Sequence, residues 1–88
     1  MISQKEKSII ARVASRYRVK RIFIFGSSLG KKKSQDIDLA VEGLRPRDFF
    51  KFYADLLFSL PKPVDVIDLS KDSKFTSLVR QEGLPIYG

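Results

Sequence analysis

The sequence predicts an α/β fold of the mixed, α+β kind: a small sheet of three to four strands, part parallel and part antiparallel, with helices packed on it. Three observations carry that expectation. Short β-branched runs alternate with stretches whose apolar residues recur at helical spacing. Between the second and third runs lie about twenty residues with a helical stripe, long enough for the crossover that parallel strands need. The first two runs are joined by a much shorter polar loop, which suits an antiparallel pair.

Ser3 and Glu6 have the spacing of a capping box, and Ile9, Ile10, Val13 and Tyr17 follow on one face, so a first helix is expected over 3–17. Residues 19–25, Val-Lys-Arg-Ile-Phe-Ile-Phe, read as a buried strand that stops at Gly26. A polar loop follows over 26–35. Residues 36–41 form a second strand ended by Gly43, and Pro46 suits the first turn of a helix. Phe49, Phe50, Tyr53, Leu56, Leu57 and Leu60 form a stripe, read as core. Pro61 and Pro63 break that helix, and 64–69 make the third strand. A last short helix is capped somewhere in 70–73, carries Phe75, Leu78 and Val79, and stops at Gly83. Leu84 to Tyr87 fit a final strand, which Pro85 confines to an edge.

The 88 residues read as a single domain over 1–88. A chain of this size buries roughly 60–70% of the surface it exposes when unfolded, so it folds alone with little stability to spare. A hydrophobic fraction of 43%, with seven Phe, is enough for a core. Without cysteine or histidine there is no disulfide scaffold, no Cys/His zinc site, no thiol nucleophile and no Ser-His-Asp triad. A metal site must then be built from oxygen ligands, which favours Mg²⁺, Mn²⁺ or Ca²⁺. The N-terminus lacks an apolar run of signal-peptide length and no segment approaches ~20 apolar residues, so a soluble cytoplasmic protein without membrane contact is expected. The net charge of +7 points to a polyanionic partner: a nucleotide, a nucleic acid or an acidic protein surface.

The chemistry lies in three aspartates. Asp36 and Asp38, two apart on a strand, point to one face with Cα atoms roughly 6.7 Å apart. Their repulsion, on the order of 4 kcal/mol at ~4 Å and an effective dielectric of ~20, calls for a cation to offset it. Asp65, between Val64 and Val66, can reach the same site from a neighbouring strand ~4.8 Å away. Asp68 points to the opposite face and reads as a strand-end or capping residue. After the first strand, Gly26 permits a close backbone approach to a phosphate and Ser27 adds a hydroxyl.

Phe25, Gly26 and Ser27, then Asp36, Ile37, Asp38 and Leu39, then Val64, Asp65 and Val66 resemble the hallmark of the DNA polymerase β-like nucleotidyltransferase superfamily. The small size and the closing Glu82, Gly83, Leu84, Pro85, Ile86 and Tyr87 are similar to its minimal nucleotidyltransferase (MNT) branch. The resemblance implies that Asp36, Asp38 and Asp65 ligate two Mg²⁺ ions, with Asp65 helping to activate the attacking hydroxyl. It implies that Gly26 and Ser27 hold the triphosphate. The loop between Ser27 and Asp36 is shorter than the family's usual one. Lys31, Lys32 and Lys33 stand where an arginine-containing stretch is usual, and can serve as point charges for the phosphates.

Within the MNT branch, the resemblance further implies an antitoxin that transfers AMP from ATP to a tyrosine of a HEPN-type toxin. Two other readings stand beside it: a non-catalytic antitoxin that occludes its partner, and a basic nucleic-acid-binding domain. A homo-oligomer is compatible with the sequence.

Overall fold

Ser3 opens the first helix through the reciprocal bonds that its spacing to Glu6 anticipates. In the computed structural model, which describes residues 2–25, 36–70 and 72–88, Ser3 Oγ accepts from the Glu6 N–H at 3.1 Å and Glu6 Oε1 accepts from the Ser3 N–H at 2.8 Å. Helix α1 then runs Gln4–Arg16. The backbone bond from Ser3 holds the Glu6 carboxyl below its usual range although burial opposes this. Lys62, 3.5 Å away, adds an ion pair that ties the start of α1 to the segment after the second helix.

Helix α1 ends without a glycine. Arg18 takes φ 57°, in the left-handed region. The Val19 N–H bonds to Ala14 O at 3.0 Å and the Arg18 N–H to Ser15 O at 3.2 Å. This pair of bonds is a Schellman cap, which satisfies carbonyls the helix end leaves open. The cap turns the chain straight into the sheet, so β1 spans Arg21–Ile24 rather than the expected 19–25. Val19 is buried but lies outside the ladder.

Strand β2 is Ile37–Glu42 and β3 is Val64–Asp68. Between them come a 3₁₀ turn over Pro46–Asp48 and helix α2, Phe49–Ser59. Helix α3, Lys74–Glu82, leads into β4, Leu84–Tyr87. The sheet order is β3-β2-β1-β4. Strand β1 is antiparallel to both β2 and β4, and β2 is parallel to β3 through the α2 crossover. The mixed four-stranded sheet expected from the element order is therefore present, with Pro85 on an edge strand.

The strands' period of two sorts their residues between two cores. On one face, Ile22, Ile24, Ile37, Leu39, Val41, Val64 and Val66 pack against Ile10 and Val13 of α1 and Phe52 and Leu56 of α2. On the other, Phe23, Ala40, Leu69 and Val79 form a smaller cluster under α3. Arg80 fastens α3 there, donating to Leu69 O at 2.8 Å and pairing with Glu42.

The stripe read as core on α2 needs correction. Leu56 and Leu60 are buried and Phe49 and Tyr53 pack against the core, but Phe50 and Leu57 face solvent. Their place in the core is taken by Phe52, which the stripe omitted and which is wholly buried. A helix apolar on both sides offers two stripes of equal period, and periodicity alone does not say which one meets the sheet.

Gly83 ends α3 as expected, though not by a left-handed turn. Its backbone is extended, and a Cβ there would lie 2.5 Å from Val79 O and 3.2 Å from Phe23 Cβ. Glycine is required by close packing of the helix end on the sheet. No helix among the described residues is long and apolar enough to cross a membrane.

Candidate active site

The parallel pairing of β2 with β3 sets the geometry. In that register Asp38 is the direct partner of Asp65, flanked by Ile37 opposite Val64 and Leu39 opposite Val66. The flanking residues point into the larger core, so alternation sends both aspartates to the opposite face. The next pair along that face, Ala40 and Ile67, belongs to the smaller apolar cluster. The two carboxylates thus stand on neighbouring strands, about 4.8 Å apart, where the apolar floor under α3 gives way to solvent. Asp65 is exposed and Asp38 half-buried. Asp36 is exposed, one residue before β2, and the same alternation puts it on their side of the sheet.

Strand β1 delivers its end to the same place. The Phe25 N–H donates to Asp38 O at 3.1 Å, which brings residue 25 beside β2 at the level of the aspartates. The Phe25 ring meets Phe75, in the first turn of α3, edge to face at 6.0 Å. These aromatics wall one side of the site. Gly26, Ser27, Lys31 and Lys32, assigned to the nucleotide from the sequence, lie outside the described residues.

Tyr53 enters from the other side. Its hydroxyl donates to Asp65 Oδ1 at 3.2 Å. Burial, together with the neighbouring Asp65 carboxylate, pushes the Tyr53 hydroxyl above its ordinary range. It therefore remains a protonated donor at neutral pH. The sequence reading placed Tyr53 only in the core stripe. The signal that singles it out is the one hydroxyl in a stripe otherwise made of Phe and Leu, because a tyrosine at a core margin needs a partner for its oxygen.

Asp68, read as a strand-end residue, is one. Its Oδ1 accepts from the Ser70 N–H at 2.9 Å and turns the chain after β3.

The donors are of the type a hard divalent cation takes, oxygen only, with two carboxylates on register-paired residues of one sheet face. Among the described residues, no group of three acidic side chains is arranged to hold a metal ion.

A sequence profile of the family described as polymerase beta, nucleotidyltransferase, matches residues 7–88. The chain belongs to that family. The match takes in all of α1 after its first three residues and the four strands of the sheet, so the nucleotidyltransferase carries the aspartate pair within the region its family shares. Its fold is also found in solved structures. A chain in the crystal structure of the MntA-HepT toxin-antitoxin is 23% identical, with a TM-score of 0.74 over 98% of this chain and 73% of that one. A chain from a toxin-antitoxin crystallised with AMP-PNP is 26% identical, with a TM-score of 0.75 over 93% of this chain and 73% of that one. A mutant of the MntA complex gives 22% identity and a TM-score of 0.75, over 93% of this chain and 72% of that one. No curated protein sequence matches the chain.

Proposed function

We propose that this nucleotidyltransferase is an antitoxin that moves AMP from ATP to a hydroxyl of a partner protein, a tyrosine of a HEPN-type toxin, in the cytoplasm. The observation that carries the reading is the direct pairing of Asp38 with Asp65 on the solvent-open part of a family-matched sheet. The AMP-PNP complex of the related toxin-antitoxin supports a triphosphate as donor.

The chain's own residues divide the work. Asp36 and Asp38 would hold Mg²⁺ beside the triphosphate, with Asp65 completing the set. A pair of such ions stabilises charge on the attacking and leaving oxygens of an in-line displacement. Asp65 sits at the outer side of the pair, on an edge strand, where an acceptor hydroxyl can approach and pass its proton to the carboxylate. The acceptor oxygen bonds to the α-phosphorus as the bond to pyrophosphate breaks. Gly26 and Ser27, with Lys31 and Lys32, would hold the triphosphate at the end of β1.

The test is transfer of label from ATP carrying it at the α-phosphate, with Mg²⁺ and the HEPN partner present. Wild type should label the partner, and Asp38→Asn and Asp65→Asn should each lose the label. A partner that stays bound and inhibited without label would show neutralisation by occlusion and overturn the catalytic reading.

A further inference from the structure

Helix α2 has an apolar side that the rest of the described chain does not cover. Phe50 is 81% exposed, Leu57 51% and Phe58 91%. With the half-buried Ala54 they fall at i, i+4, i+7 and i+8, which is a single helical stripe. It lies away from Phe52 and Leu56, the residues α2 gives to the core. Isolated exposed apolar residues are ordinary, but a continuous stripe with two phenylalanines standing in water marks a surface that another protein covers. A cleft opens at each end of it. One, of about 530 Å³, lies between Phe58, Leu60 and the start of α1 at Lys5 and Ile9. The other, of about 380 Å³, lies beside Phe49 and Phe50.

The stripe is joined to the aspartates by a chain of contacts. Phe50 meets Phe49 edge to face at 5.7 Å, Phe49 meets Tyr53 at 6.0 Å, and the Tyr53 hydroxyl bonds to Asp65. A protein seated on α2 would therefore reach the edge of β3 where an acceptor hydroxyl has to arrive. Charge selects among occupants. The whole chain carries +7, and Arg47 and Lys51 are exposed beside Phe50. Of the acids around the stripe, Asp55 pairs with Arg16, Glu6 with Lys62, and Asp68, which lines the cleft beside Phe50, accepts from the Ser70 N–H. A second copy would bring together two chains that each carry +7, whereas an acidic protein would be attracted.

We propose that the Phe50, Leu57 and Phe58 stripe is the docking surface for the acceptor protein, an acidic protein with an apolar groove that takes the outer side of α2. The inference rests on reading the site as a transferase that acts on a protein.

The experiment co-expresses the chain with a HEPN-type partner protein and measures complex formation by calorimetry and by solution mass. The Phe50→Ser, Phe58→Ser double variant alters only exposed side chains, and its circular dichroism and melting temperature report whether it folds. The expected result is a folded, monomeric variant whose affinity for the partner is at least about a hundredfold lower, as when two central aromatic anchors are lost. Label transfer to the partner at low concentration should fall in parallel and recover when the partner is raised. A complex as tight as wild type, with transfer still dependent on Asp65, would overturn the docking surface and leave the transferase reading in place. A wild-type homodimer that the double variant dissociates would assign the stripe to a second copy and likewise overturn it. Failure of wild type to bind the HEPN protein would overturn the partner reading, and the docking surface with it.

Discussion

Asp38 on β2 and Asp65 on β3 are register partners, two like charges facing each other across a parallel strand pair. Like charges directly opposite each other on neighbouring strands oppose folding. Asp65→Asn should therefore keep or raise thermal stability in metal-free buffer while abolishing transfer. Mg²⁺ should raise the melting temperature of wild type by mass action and do little for the variant. Scanning calorimetry with and without Mg²⁺ checks both.

Tyr53→Phe retains the ring that packs against Phe49 and deletes only the oxygen that bonds Asp65. Partners that orient a metal-binding carboxylate typically contribute 10–100-fold to metal affinity or activity. Transfer by the variant should fall by about tenfold through kcat, with an unchanged KM for the protein acceptor and an unchanged melting temperature. Steady-state kinetics beside a thermal melt separate this from a loss of packing.

Far from the site, the Tyr17 hydroxyl donates to Asp55 Oδ2 at 2.6 Å and Arg16 pairs with the same oxygen at 3.1 Å. The bond from Tyr17 is the main reason the Asp55 carboxyl falls below 3.8, and the same bond lifts the Tyr17 hydroxyl above 10.0. A depressed carboxyl stabilises above its unfolded value and loses that contribution as pH drops through the folded one. A raised phenol stabilises below its unfolded value and loses that contribution as pH climbs through the folded one. The α1–α2 tie is therefore at full strength between about pH 4 and 10. Tyr17→Phe should cost about 1 kcal/mol across that window and progressively less outside it. Urea titrations at several pH values would show the convergence.

Arg18 holds a left-handed backbone that a side chain resists. Relief of about 1 kcal/mol is expected for Arg18→Gly, since glycine is the usual residue at this position of a Schellman cap. Denaturant midpoints of the two proteins measure it.

Much of this structure was legible because its signals are local. Ser3 and Glu6 fix a helix start by spacing, Pro61 fixes a helix end by covalent geometry, and the three strands announce themselves by β-branched runs. The placement of Asp65 beside Asp38 could be anticipated because the crossover length left parallel pairing as the simplest solution, and a single register then decides every partner. What escaped depends on which neighbour a residue meets. Phe50 and Phe52 are chemically alike and two positions apart, and only the sheet beneath α2 decides that one is buried and the other is not. Arg18 occupies a position where sequence rules look for glycine, so the turn before β1 was invisible. The bond from Tyr53 to Asp65 joins two elements whose proximity no local pattern encodes.

The borders of the sheet limit the company this protein can keep. Strand β4 has a proline at its second position, and its pairing with β1 slips in register between Ile22 and Phe23. An imino acid withholds a donor and an irregular ladder twists the border away from flatness, so β4 is a poor template for another strand. The opposite border, β3, presents a charged Asp65 that a docking strand would have to desolvate. Growth by strand addition is discouraged at both rims, which keeps a small basic protein from polymerising through its backbone. Its recognition of other molecules is thereby left to side chains, whose chemistry can be changed one position at a time without unravelling the sheet.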